Sequence, residues 1–189
     1  IVAAGGHIAM LTMLAIRGDA STPEDTSLTL AKEAAAATIT NFCAQDDSRA
    51  AVVGAGGIAT LAALIGREES DELLKYGCAA LGNLARENPA NQEAIAAEAA
   101  IPRLIFLARE TGIRDAEADV DAEHNSIDDA EDDNGLELNA SIALRKLAIG
   151  NESNYAAMKE VLDESELRYF LHAELPNTEG VIPEAELAN

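Results

Sequence analysis

The chain of 189 residues carries 34 acidic and 13 basic side chains, a formal net charge of −21, and is 48% hydrophobic with only 3% aromatic residues and no Trp. Its apolar mass is therefore Ala, Leu, Ile and Val, the composition of close-packed helices and not of a β-sandwich, where aromatic and β-branched residues dominate. So negative a chain repels a phosphate backbone, which argues against nucleic acid as a direct partner and makes a basic protein or peptide the easier one, although acidity also serves solubility.

No run approaches the roughly 18 consecutive apolar residues of a membrane span. Cys43 and Cys78 form no CxxC motif and have no His at metal-ligand spacing, so they read as small buried hydrophobes and favour the cytoplasm or another reducing compartment. The chain opens on Ile1 and not on Met, the mark of a piece of a longer or processed chain whose targeting segment could lie upstream.

Laid over itself, the chain repeats. Ile1-Val2-Ala3-Ala4-Gly5-Gly6 corresponds to Val52-Val53-Gly54-Ala55-Gly56-Gly57, with Met10, Met13 and Leu14 over Leu61, Leu64 and Ile65. Ile95-Ala96-Ala97-Glu98-Ala99-Ala100-Ile101-Pro102 takes the same place in a third copy, with Leu104 and Leu107 at matching apolar positions. A second block follows in each copy: Ile39-Thr40-Asn41-Phe42, Leu81-Gly82-Asn83-Leu84 and Leu144-Arg145-Lys146-Leu147. The units so defined are a partial repeat over 1–51, repeats over 52–94 and 95–157, a partial repeat or cap over 158–174 and an extended tail over 175–189.

The second copy predicts a short helix ending near Val53, a Gly56-Gly57 corner, a helix over 58–66, a short acidic turn and a longer helix over 71–86. Glycine carries no Cβ penalty at positive φ, and Leu61, Leu64 and Ile65 recur at the spacing of one helical face. In the third copy the corner is Ala99-Ala100, and Pro102 suits the first turn of a helix. On the long helix, Leu74, Cys78, Leu81 and Ala85 form one stripe, expected in the core. Tyr76, Ala79, Asn83 and Arg86 form another, expected to face solvent or a ligand.

Gly56-Gly57-Ile58-Ala59-Thr60-Leu61-Ala62-Ala63-Leu64-Ile65, then Ala79 to Ala85, then Asn88-Pro89-Ala90-Asn91, resembles the armadillo repeat of the β-catenin and importin-α type over about residues 1–165. The resemblance implies an all-α fold, a right-handed superhelical solenoid of about three to four three-helix repeats, whose third helices line a concave groove. It also implies that Asn41 and Asn83 match an asparagine that contacts the backbone of an extended peptide. Two departures qualify it. The Trp that precedes this asparagine in importin-α is replaced by Ala37 and Ala79, and in the third copy the asparagine is replaced by Lys146. The candidate groove residues are therefore Asn41, Tyr76, Asn83, Arg86, Asn139 and Lys146.

Between the second and third helices of the third copy, Asp115 to Glu137 inserts eleven acidic residues and no Lys or Arg. Such a run repels itself and reads as a solvated loop, or more sharply as a polyanionic arm for a basic partner. A calcium-hand register fails, because with Gly135 at position 6 the first and twelfth positions are Ala130 and Ser141.

Val52-Val53-Gly54-Ala55-Gly56-Gly57-Ile58-Ala59 satisfies the dinucleotide fingerprint literally, but it lies among helices and recurs at Ile1–Gly6, which a cofactor site has no reason to do. His7, His124 and His172 have no partner at a catalytic spacing. The reading is a non-enzymatic scaffold without cofactor or metal, binding a partner protein or extended peptide. The alternative is an accessory subunit held in a larger assembly through its ends and convex face.

Overall fold

A computed structural model describes residues 5–16, 23–67, 69–118 and 135–172. These form helices α1 (Gly6–Ala15), α2 (Pro23–Ala44), α3 (Asp46–Gly54), α4 (Gly57–Ile65), α5 (Asp71–Ala85), α6 (Pro89–Ala97), α7 (Ala100–Ala118), α8 (Gly135–Ala148), α9 (Glu152–Lys159) and α10 (Glu164–His172), with no strand among the described residues. Helices α3, α4 and α5 form one three-helix unit and α6, α7 and α8 the next. The pair α1 and α2 precedes them and the pair α9 and α10 follows. The long helix α5 is sandwiched between α2 and α8, while α4 packs between α1 and α7 in a second layer.

The corners follow from local chemistry. Gly5 (φ 75°) and Gly56 (φ 79°) stand at equivalent positions immediately before α1 and α4, and Ala99 (φ 55°) takes the same left-handed conformation before α7. Gly57 answers a different need, because a Cβ there would lie 2.5 Å from Val52 Cγ1 and 2.7 Å from the Val52 carbonyl oxygen. Ser70, Asn88 and Asn151 cap α5, α6 and α9, each side-chain oxygen accepting from the backbone N–H three residues on. Pro89 opens α6, where its missing N–H has no helical partner to lose.

The core is one contiguous aliphatic cluster running through all the units. Leu61, Leu64 and Ile65 of α4 and Leu74, Cys78, Leu81 and Ala85 of α5 are all buried, as their periodicity predicts. Each large side chain so buried contributes about 1.5–3 kcal/mol against leaving it in water. Leu73, Ala80 and Leu84 of α5 are buried too, since this helix has a neighbour on either flank and keeps only one narrow strip accessible.

The insertion expected over 115–137 is shorter at both ends. Helix α7 runs on through Asp115 to Ala118 and α8 already begins at Gly135, because Ala116 and Ala118 are strong helix formers that let the turn propagate. The rest of that segment, 119–134, and the expected tail over 175–189 lie outside the described residues. Positions 52 and 95, where the sequence correspondence begins, fall inside α3 and α6. No single described helix is long and apolar enough to cross a membrane.

Candidate functional site

Helices α2, α5 and α8 lie side by side and parallel. Thr40 Oγ1 donates to the Tyr76 carbonyl at 3.1 Å, and Asn83 Nδ2 to the Thr40 carbonyl at 3.4 Å, while Arg86 Nη2 donates to the Ala44 carbonyl at 3.0 Å. Later positions on α2 thus meet later positions on α5. Between α5 and α8 the same direction holds: a Cβ on Gly82 would lie 3.2 Å from Ala143 Cα, and Lys146 Nζ donates to Asn83 Oδ1 at 3.2 Å. Gly82 is the small residue that lets the two backbones approach.

The accessible strip crosses these three helices. Asn41 of α2 is exposed. Tyr76 and Asn83 of α5, Arg86 at its C-terminal cap, and Asn139 and Lys146 of α8 are half-buried. Asn41, Asn83 and Lys146 occupy one level, with Ile39, Leu81 and Leu144 fully buried two residues before each. Tyr76 and Asn139 occupy another level, one two-turn interval earlier.

These side chains are not equally available. Asn83 spends its amide between Thr40 and Lys146, tying α2, α5 and α8 together, so it is structural as well as accessible. Asn139 Nδ2 turns back on its own helix and donates to the Gly135 carbonyl at 2.6 Å. Lys75 Nζ stands 5.7 Å from the centre of the Tyr76 ring. The Glu72 carboxylate hydrogen-bonded to Tyr76 holds its phenol above the ordinary value, with burial and the Glu33 charge adding to the effect.

At the C-terminal ends of the three helices the electrostatics reverse. Arg49 of α3 donates Nη1 to the Asn83 and Arg86 carbonyls at 3.3 and 3.0 Å and pairs with Asp46 through Nη2. Arg86 reaches the same Asp46 oxygen at 3.3 Å. Lys146 is pushed below its ordinary value by burial first, then by the charges of Arg86 and Arg49. Among the described residues no carboxylate lies within salt-bridge distance of Lys146.

Four polar residues outside the expected set position this strip. Gln92 of α6, at the place of Arg49 one unit on, donates Nε2 to the Lys146 and Ile149 carbonyls at 2.8 and 3.0 Å, as Arg49 does to Asn83 and Arg86. Asn91 and Asn154 donate to the Leu84 and Leu147 carbonyls at 2.8 and 3.1 Å, and both are buried. The first helix of each unit thus satisfies the orphan carbonyls at the end of a third helix. The repeated string Asn88-Pro89-Ala90-Asn91 and Asn151-Glu152-Ser153-Asn154 carried the signal for the asparagines. Arg49 and Gln92 share a repeat position but not a side-chain type, so residue identity gives no sign of their common role.

Burial pushes the Cys43 and Cys78 thiols up to about 12, which disfavours the nucleophilic thiolate. His7 is buried in α1, His172 ends α10, and His124 lies outside the described residues. The dinucleotide-like glycines form the corner between α3 and α4.

No protein-family model matches the chain. No curated protein matches it. Solved structures do resemble it: a designed armadillo repeat protein at 22% identity and TM-score 0.59, covering 84% of this chain and 54% of that one. A computationally designed armadillo repeat protein for modular peptide recognition is similar at 21% identity and TM-score 0.60, with the same coverage. An engineered protein at 22% identity and TM-score 0.62 covers 91% of this chain and 62% of its own. The chain spans about half the length of the first two designed proteins. Parallel third helices, repeated left-handed corners and these likenesses together make the chain an all-α solenoid of the armadillo-type repeat fold.

Proposed function

We propose that the chain is a non-enzymatic interaction scaffold that holds an extended segment of a partner protein across α2, α5 and α8. The observation that carries this is the strip itself: polar side chains at one level on three parallel helices, accessible while Ile39, Leu81 and Leu144, two residues before each, are buried. Asn41 is the rung with most to offer a peptide backbone, since it is exposed while Asn83 is engaged between its neighbours. A peptide-recognition role for one structural relative agrees with this use of the face. The acidic 119–134 segment adds eight negative charges, and a basic stretch of the same partner is its electrostatic complement.

A photo-crosslinking residue placed at Asn41, and separately at Phe106 on α7, tests the proposal in an extract of the source organism. Crosslinked partner from Asn41 and none from Phe106 is the expected result. Crosslinks from Phe106 with none from Asn41 would instead establish an accessory subunit held by its outer face.

A further inference from the structure

We infer that the C-terminal rim of the groove, at Arg86 and Lys146, binds an anionic side chain of the partner segment, a carboxylate or a phosphate. The inference rests on the groove reading above and specifies the chemistry of one of its positions.

Three cations meet on a chain that is otherwise strongly acidic. Lys146 and Arg49 both bond Asn83, one at its side chain and one at its carbonyl, and Arg49 also bonds the carbonyl of Arg86. The carboxylate that offsets them is Asp46, shared between Arg49 and Arg86 and 78% exposed. Helix-end carbonyls that could have served Lys146 are occupied, since Gln92 takes those of Lys146 and Ile149. The Lys146 ammonium has three donors and spends one on Asn83. Arg86, with its side chain 40% exposed, directs one nitrogen at both Ala44 and Asp46, leaving donors of its fork for a ligand.

There is room beside Arg86. A cleft of about 440 Å³ opens between α3 and α6, lined by Arg49, Arg86 and Asn91 and also by Asp46 and Glu87, with Lys146 outside it. The opposite rim of the groove carries Glu33 and Glu72 around Tyr76, with Lys75 paired to Glu72, so carboxylates outnumber cations there. An anion is therefore sorted to the Lys146 side and away from the Tyr76 side. The formal charge of −21 does not cancel this preference, because charges farther than about 8 Å are screened at physiological ionic strength while a half-buried pair is not.

The probe is a set of labelled nine-residue peptide pools, neutral except for a fixed central Glu, phosphoserine, Gln or Lys, titrated with the full chain by fluorescence polarisation. The Glu or phosphoserine pool binds about tenfold more tightly than the Gln pool, the worth of one charge-assisted contact. Arg86→Gln and Lys146→Gln each reduce that preference and leave the circular dichroism unchanged; Lys146→Met, which keeps the side-chain bulk, repeats the second arm. Whichever anionic pool binds tighter identifies carboxylate or phosphate. Equal binding of all pools that Asn41→Ala weakens overturns the anion site and leaves the groove reading standing. Absence of binding to every pool, or binding that no groove substitution alters, overturns both.

Discussion

Lys146 Nζ donates to Asn83 Oδ1 across the α5–α8 contact, and the Asn83 amide nitrogen passes the connection on to the Thr40 carbonyl of α2. A position expected only to meet a peptide thus also links three units. Asn83→Ala removes both bonds and is expected to cost about 1–2 kcal/mol, measured as a lower midpoint in urea unfolding. Lys146→Met should stay within about 0.5 kcal/mol of the parent, since it also removes a cation that burial and two arginines disfavour. A larger loss from Lys146→Met than from Asn83→Ala would contradict this division of roles.

The three corners make a controlled comparison. Ala99 occupies the left-handed region that Gly5 and Gly56 occupy in the other copies. Ala99→Gly relieves a non-glycine residue there and should stabilise by about 1 kcal/mol, while Gly56→Ala should destabilise by a similar amount. A Cβ on Gly56 meets nothing within 4 Å, so its effect is purely conformational. Gly57→Ala differs, because its Cβ would collide with Val52, and this overpacking should cost about 1–3 kcal/mol. Thermal unfolding of the three variants side by side checks the order.

Gln92 is 3% exposed and holds the Lys146 and Ile149 carbonyls together at the end of α8. Gln92→Ala leaves both without that donor, and the expected loss is about 1–2 kcal/mol, the worth of two partly buried hydrogen bonds. Gln92→Arg, which installs the residue found at the equivalent Arg49, should recover part of it. Faster amide exchange confined to the last turn of α8 and to α9 would locate the effect.

Much of this architecture was legible because it is periodic. Leu61, Leu64 and Ile65 announced a helical face, and the recurring Gly-Gly pair announced the corners. The strip across α5 followed from the angle between Tyr76 and Leu74 on a helix. Contacts between units were hidden: nothing in the spacing of Arg49 and Asn83, or of Gln92 and Lys146, says that a first helix caps a third. Net charge misled in the same way, since a sum of −21 conceals the local meeting of Arg49, Arg86 and Lys146. The acidic run from Asp115 reads as one block in the sequence, yet Ala116 and Ala118 within it carry α7 on to Ala118.

Helix α10 is held by acidic groups, which makes its docking pH-dependent. Arg109 Nε and Nη2 bond the two Glu166 oxygens at 2.7 and 2.9 Å, joining α7 to α10. Asp163 and Glu166 cap the helix reciprocally: Asp163 Oδ1 accepts from the Glu166 N–H at 2.9 Å, and Glu166 Oε2 from the Asp163 N–H at 3.0 Å. The Arg109 bond, then the Asp163 N–H, hold the Glu166 carboxyl below its ordinary 4.5; the Ser165 hydroxyl, then the Glu166 N–H, hold Asp163 below 3.8. A depressed carboxyl binds fewer protons folded than unfolded, so its stabilisation is complete above the ordinary value and is lost as pH falls through the folded one. Between pH 7 and 5 amide exchange in α10 should therefore hardly change, apart from the intrinsic rate. Below about pH 4.5 its protection should fall before that of α5. In Arg109→Met the chief cause of the Glu166 depression is gone, so α10 should already exchange faster at pH 7 and should lose less further protection below pH 4.5. Protection that is unchanged down to pH 3, or lost equally in α5 and α10, would show that Phe170 and Leu171, both buried, dock the helix without the ion pair.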